Sequence, residues 1–300
     1  MSGYLFVYFA GEQTDQEQIY FSVSQDGLHW QDLNDGQPVL VSTVGEQGAR
    51  DPFIVKDERC GKYYLLATDL KISYGEDWQR AKTRGSRDLL VWESSDLLHW
   101  SEVRACPVGL PEAGCVWAPE AIYDQEKEAF LVFWASNVQE DGDQQRKMRI
   151  YASYTKDFVD FSPTFKYIER PNDIIDTTIV HVQNHYYRFS KNETTKTIEL
   201  EKGATLAADA FTTLEVPLLK DFYGLEGPEC YQLPSGQWCL IADQFATNQG
   251  YLPMLIADWD KGQLQVFPTT AYDLGQGKKR HGGVIAITND EYHALIANFK

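Results

Sequence analysis

Short apolar runs in this chain open on a single charged residue at recurring intervals. The openers are Asp51 in Arg50-Asp51-Pro52-Phe53, Glu120 in Trp117-Ala118-Pro119-Glu120, Asp176 in Ile175-Asp176-Thr177-Thr178, and Glu226 in Leu225-Glu226-Gly227-Pro228. His281, in Arg280-His281-Gly282-Gly283, is the fifth. The spacing is roughly 50 to 70 residues, the length of a small sheet module, and such a repeat stacks most simply around an axis. Each module then delivers one charge to the same central region, so carboxylates converge there.

A second repeat runs out of phase with the first. Ser24-Gln25-Asp26-Gly27-Leu28-His29-Trp30, Ser94-Ser95-Asp96-Leu97-Leu98-His99-Trp100 and Thr155-Lys156-Asp157-Phe158-Val159-Asp160-Phe161 each carry a hydroxyl residue, an Asp two later and an aromatic four after that. An Asp at this point bonds turn amides and the aromatic packs across the sheet, so these residues are structural. They mark the turn into the outer strand of a module.

Between these marks the chain reads as strands: Tyr63 to Thr68, Leu89 to Glu93, Phe130 to Ala135, Met148 to Tyr154, His185 to Ser190, Trp238 to Ala242 and Tyr292 to Ala297 are short, apolar or alternating, and bounded by turn residues. No linker divides residues 1–300 and no segment is of low complexity, so one domain is expected. The predicted fold is all-β, a five-bladed β-propeller of four-stranded blades. Four blades begin at Asp51, Glu120, Asp176 and Glu226. The fifth is composite, with Gly282 to Ile287 as its inner strand and outer strands from Gln18 to Val23 and from the segment after Trp30, so that both chain ends close the ring and leave no bare sheet edge. Tyr4 to Ala10 and Tyr292 to Ala297 compete for its second strand.

A net charge of −17, against one basic cluster at Lys278-Lys279-Arg280, disfavours nucleic acid and anionic membranes as partners. A neutral carbohydrate is compatible with that field. Five cysteines, Cys60, Cys106, Cys115, Cys230 and Cys239, have no zinc-ligand spacing. The start, Met1-Ser2-Gly3-Tyr4, shows no export signal and no apolar run is long enough to span a bilayer, so a cytoplasmic location is expected.

The ordered set Arg-Asp-Pro, Trp-Ala-Pro-Glu, Ile-Asp-Thr-Thr, Glu-Gly-Pro and Arg-His-Gly, in a five-module chain, resembles glycoside hydrolase family 43 from the Asp51 strand to His281. The resemblance implies a five-bladed propeller that releases arabinose or xylose from plant polysaccharides with inversion. It implies Asp51 as general base, Glu226 as general acid and Asp176 as the carboxylate that orients the acid and keeps its pKa high. An inverting site places base and acid about 6.5 to 9.5 Å apart, with water between, and strands on different blades can hold that gap. A Glu ordinarily titrates near 4.3, so an acid working at neutral pH gains from a neighbouring carboxylate.

Glu229 competes with Glu226, but residues three apart in an alternating strand face opposite sides, and the Glu-Gly-Pro motif selects Glu226. Glu120, where many relatives have Asp, is expected to bind the sugar or shape the pocket, supported by Trp117. His281 matches a histidine near the axis that in some members coordinates a structural calcium or sodium ion; catalysis itself requires no cofactor. For substrate contacts the sequence offers Trp134 at a strand end, Arg188 and Lys191 after the Asp176 strand, and Trp78 and Tyr74 in an insertion between Leu70 and Ser86.

A retaining fructosidase would need an N-terminal Asn-Asp-Pro-Asn nucleophile, which the chain lacks. A protein-interaction propeller has no reason to gather carboxylates, and a non-catalytic carbohydrate-binding propeller needs no acid and base. Because the chain ends at Lys300 after the closing strand, the expected reaction is release of terminal α-L-arabinofuranose from arabino-oligosaccharides or arabinoxylan fragments. The alternative is a β-xylosidase on xylo-oligosaccharides.

Overall fold

The computed structural model describes residues 3–73 and 77–300; Tyr74 lies outside them. In chain order the strands are β1 (Gly3–Tyr8), β2 (Tyr20–Ser24), β3 (Gln31–Asp32), β4 (Ala49–Asp57), β5 (Lys62–Asp69), β6 (Asp88–Ser94), β7 (Arg104–Pro107), β8 (Trp117–Asp124), β9 (Ala129–Val138) and β10 (Lys147–Thr155). They continue with β11 (Phe165–Ile168), β12 (Ile174–Val182), β13 (His185–Asn192), β14 (Thr197–Gly203), β15 (Phe211–Leu214), β16 (Glu226–Gln232), β17 (Trp238–Asp243), β18 (Tyr251–Asp258), β19 (Gln263–Val266) and β20 (Gly282–Ile287). They form five four-stranded antiparallel sheets: β4 to β7, β8 to β11, β12 to β15, β16 to β19, and β20-β1-β2-β3. The first strands touch in cyclic order β4, β8, β12, β16, β20 and back to β4. The molecule is a five-bladed β-propeller.

Both chain ends close the ring, since β20 pairs antiparallel with β1, with Val284 opposite Phe6. Tyr292 to Ala297 is not the competing strand: it lies in a C-terminal helix, Asn289–Asn298. Thr288 caps this helix and Glu291 reciprocates, a complete capping box. Tyr292 and Leu295, one turn apart, pack on Leu5, Val23 and Ile287. An apolar run that alternates imperfectly thus obeys the cap ahead of it.

The phase-shifted repeat forms the turns it predicts. The Ser24, Ser94 and Thr155 hydroxyls accept from the amides of Gly27, Leu97 and Phe158, while one oxygen of Asp26, Asp96 and Asp157 accepts two amides further on. These residues hold the outer ends of the blades.

Neighbouring blades are glued by apolar faces, and strand alternation decides which face a side chain joins. Trp134 on β9 faces the β4–β7 blade, packed with Tyr64, Val91 and Phe158. Phe133 and Ala135 face the other way, toward Ile174 and Ile179 of the next blade. Five such seams form the core.

Four of the five inner strands carry a β-bulge at the same height. The pairing slips between Arg50 and Phe53, Trp117 and Glu120, Ile175 and Thr177, and Glu226 and Glu229. Asp51, Ala118, Asp176 and Gly227 sit in the slips with φ of 48°, 49°, 48° and 52°. Left-handed backbone at three non-glycine residues is strained and is kept where the surroundings hold it, typically at functional sites.

Candidate active site

The bulges correct the register of the sequence repeat. Asp51 matches Ala118, Asp176 and Gly227, whereas Glu120 pairs with Phe133 at the height where Thr178 pairs with Phe189 and Glu229 with Ile241. The acidic residues therefore form two layers along the axis. The upper one, Asp51, Asp176 and Glu226, lines a cavity of about 590 Å³ together with His281. The lower one, Glu120 and Glu229, is buried and does not line it.

In the upper layer Asp51 Oδ2 accepts the Thr68 hydroxyl at 2.9 Å, and Thr68 in turn accepts the Ala118 amide at 2.7 Å. This ties two blades together beneath one carboxylate. Asp176 Oδ2 accepts the amide of Gly227 at 3.1 Å. A side chain at Gly227 would strike the His281 ring, with its Cβ 2.5 Å from Cγ. His281 Nδ1 lies 3.5 Å from Asp51 Oδ1 and 4.0 Å from Asp176 Oδ2, between the two carboxylates.

Glu226 is doubly paired: Lys191 Nζ donates to Oε2 at 2.7 Å and Arg280 Nη2 to Oε1 at 3.1 Å. Arg280 is anchored by its Nε to the buried Asp243. These pairs oppose the expected effect of Asp176 on the acid. Burial alone would raise Glu226, but Lys191, then Arg280 and His281, outweigh it, and the carboxyl titrates below its ordinary value. Asp176 carries the raised pKa, about 6, because burial outweighs the attraction of His281 and Lys191.

The lower layer has no such cations. Glu229 Oε1 accepts the Val284 amide at 2.9 Å, yet burial pushes its carboxyl up to about 8. Burial and the nearby Glu229 raise Glu120 well above the carboxylate range, and a hydrogen bond with Thr178 offsets this only in part. Glu226 and Glu229 do not face opposite sides as strand alternation predicts, because the bulge between them inserts a residue and resets the alternation.

The predicted contacts divide. Trp117 lines the cavity, and Trp78, on helix α1 (Trp78–Arg84) of the insertion, meets it edge to face at 6.2 Å between ring centres. Trp78 is 44% exposed and forms an aromatic wall at the mouth. Trp134 is away from the cavity, 1% exposed in the blade seam. Arg188 is also away from it, fully buried against Glu201 with its guanidinium 3.9 Å from the Phe211 ring centre. On β13, Arg188 and Lys191 are three apart and face opposite blades; Lys191 shares the side of Tyr187 and Phe189, which meets the β16–β19 blade. Glu120, expected at the sugar, lies one layer too deep.

Arg280, Phe245 and Glu193 also line the cavity and were not singled out from the sequence. The Arg280 side chain was legible in the Arg-His-Gly motif, whereas Phe245 and Glu193 stand in turns with no periodic signal. Among the described residues no group of three or more His, Cys, Asp or Glu side chains is arranged to hold a metal ion. His281 turns its Nδ1 to Asp51 and Asp176. The donor set does not fit the calcium or sodium ion that the resemblance implies. No helix among the described residues is long and apolar enough to cross a membrane.

Three carboxylates from three different blades, converging on an axial cavity with an aromatic mouth, define the class: a five-bladed propeller with an axial acidic site. Residues 1–293 match the sequence model of a family related to glycoside hydrolase family 43 and described as a probable glycosyl hydrolase domain. The chain belongs to glycoside hydrolase family 43. An α-L-arabinofuranosidase of Bifidobacterium longum subsp. longum is 30% identical over 294 residues, covering 82% of this chain and 27% of that protein. The chain thus spans about a quarter of that relative's length. A solved endo-1,4-β-xylanase from Bacteroides thetaiotaomicron superposes with a TM-score of 0.60 at 14% identity, covering 89% of this chain and 91% of that one. A family 43 protein from Bacillus licheniformis gives 0.60 at 14% identity, covering 91% and 54%. At such identity these structures share the fold.

Proposed function

We propose that the protein is an inverting glycoside hydrolase that releases terminal α-L-arabinofuranose from arabino-oligosaccharides or arabinoxylan fragments. The observation that carries this reading is the convergence of Asp51, Asp176 and Glu226 on one cavity wall. The named α-L-arabinofuranosidase relative supports the sugar, and the Trp78–Trp117 corner supplies an apolar surface for a sugar face.

Asp51, oriented by Thr68, takes the proton of the attacking water as its oxygen bonds to the anomeric carbon. Glu226 gives its proton to the glycosidic oxygen as the bond between that oxygen and the anomeric carbon breaks. Asp176, fixed by the Gly227 amide, lies beside the developing positive charge of the ring. The products are arabinose of inverted configuration and the shortened saccharide.

The test is sugar release from matched arabino- and xylo-oligosaccharides by the wild-type protein and Glu226→Ala. Arabinose released by wild type alone is expected. Xylose release keeps the mechanism and reassigns the substrate to the β-xylosidase reading, and no release from either overturns the enzyme.

A further inference from the structure

Glu226, 20% exposed at the cavity, carries a cation on each oxygen. Arg280 donates to Oε1 and Lys191 to Oε2, and two charge-assisted bonds favour the anion, whereas a general acid has to carry a proton. Release of one cation would let the carboxyl take up that proton. Arg280 is the wrong candidate, because Asp243, itself completely buried, grips its Nε.

Lys191 is different. Its side chain is a flexible stem with a single ammonium, buried to 2% exposure beside the Phe245 ring, whose centre is 4.2 Å from Nζ. A second carboxylate waits within reach: Glu193 Oε2 lies 2.8 Å from Nζ. Lys191 thus bridges two carboxylates at once, with Nζ 2.7 Å from Glu226 Oε2 and 2.8 Å from Glu193 Oε2. The other Glu193 oxygen is engaged by Lys196. A flexible ammonium held by two carboxylates can release one and stay charge-paired with the other.

We propose that Lys191 is a positioning residue that sets the charge of Glu226: it holds Glu226 as an anion in the empty site and passes to Glu193 when a sugar oxygen takes its place. Glu226 then takes up a proton from water and becomes the acid. The proposal rests on the functional reading above. The charged groups facing Glu226 are Lys191 and Glu193 at the end of β13, Asp176 from β12, Asp243 from β17, and Arg280 and His281 ahead of β20. Of the two cations that pair with Glu226, Lys191 is the one on a flexible stem, and the same Nζ already contacts a second carboxylate. The Lys191 ammonium is itself held charged, because the attraction of Glu226, Asp176 and Glu193 outweighs its burial.

Two measurements test this. The first is a carboxyl ¹³C titration of Glu226 in the free protein, assigned by its loss in Glu226→Gln. Lys191→Met is expected to raise the midpoint by about one pH unit or more, and Lys191→Arg to leave it near the wild-type value. An unmoved midpoint in Lys191→Met overturns the proposal. The second is Glu193→Gln, which removes the second position. Its kcat on an alkyl α-L-arabinofuranoside is expected to fall about tenfold, with little loss on the nitrophenyl glycoside, whose leaving group needs no acid, and with KM unchanged. Equal loss on both substrates, or none, overturns the handover. If wild type hydrolyses neither substrate, the functional reading fails and the handover with it, while the titration still decides whether Lys191 sets the charge.

Discussion

The upper layer of carboxylates stands on β4, β12 and β16 and the lower on β8 and β16, and the two glutamates that share β16 behave oppositely. Glu226, in the upper layer, meets Lys191 and Arg280 and titrates below its ordinary value. Glu229, three residues on, meets amides, a hydroxyl and the Glu120 carboxyl, and burial pushes it up to about 8. The residue type is the same, but Glu229 is buried while Glu226 is 20% exposed at the cavity and meets two cations that loops and neighbouring blades bring to it. An acid is thus a proton store or an anion according to its burial and its partners, and the cavity opens only onto the layer that has them.

The comparison breaks most sharply on activity. Asp51→Ala and Glu226→Ala are each expected to lower kcat by roughly 10²- to 10⁴-fold, the range of general acid–base groups, with thermal unfolding showing an intact fold. Stability reports the lower layer. A carboxyl whose folded pKa is raised binds its proton more tightly in the native state. Its contribution is therefore complete below the ordinary value near 4.5 and is lost as pH rises toward about 8. The Tm of the wild type is expected to fall from pH 5 to pH 8 as Glu229, Glu120 and Asp176 ionise, and Glu229→Gln, which needs no proton, to make that fall smaller. A parallel pH dependence in the variant contradicts the assignment.

Smaller effects follow. Thr178→Val removes the hydroxyl that bonds with both Glu120 and Glu229. It is expected to destabilise the fold by about 1–3 kcal/mol in chemical denaturation, as for a buried polar group that loses its partner. Glu120→Gln is expected to leave KM within about twofold, because Glu120 does not reach the cavity. A large rise in KM would return Glu120 to the sugar and erase the separation of the layers.

Much of this was written in the spacing of the chain. The charged openers recur at blade intervals, and the Asp51, Asp176 and Glu226 side chains do meet on one cavity wall. Tyr4 to Tyr8 takes the second strand of the closing blade, with Val284 opposite Phe6. What stayed hidden depends on local backbone and on neighbours distant in sequence. The left-handed turn at Ala118, which lowers Glu120 by a layer, has no Gly or Asn to announce it. Trp134 at its strand end and Arg188 after the Asp176 strand both point by alternation into blade seams instead of the cavity. The capping box ahead of Tyr292 was legible in Thr288-Asn289-Asp290-Glu291 but was outweighed by the apolar run behind it. The cation pairs on Glu226 join residues 35 and 54 positions apart, beyond any local pattern.

The most direct measurement compares Glu226→Ala and Glu229→Gln on alkyl and nitrophenyl α-L-arabinofuranosides. The upper layer as the acid predicts that Glu226→Ala loses the alkyl substrate and keeps much of its activity on the nitrophenyl one, while Glu229→Gln changes neither ratio. If Glu229→Gln shows the leaving-group signature and Glu226→Ala does not, the proton comes from the lower layer and the account is wrong.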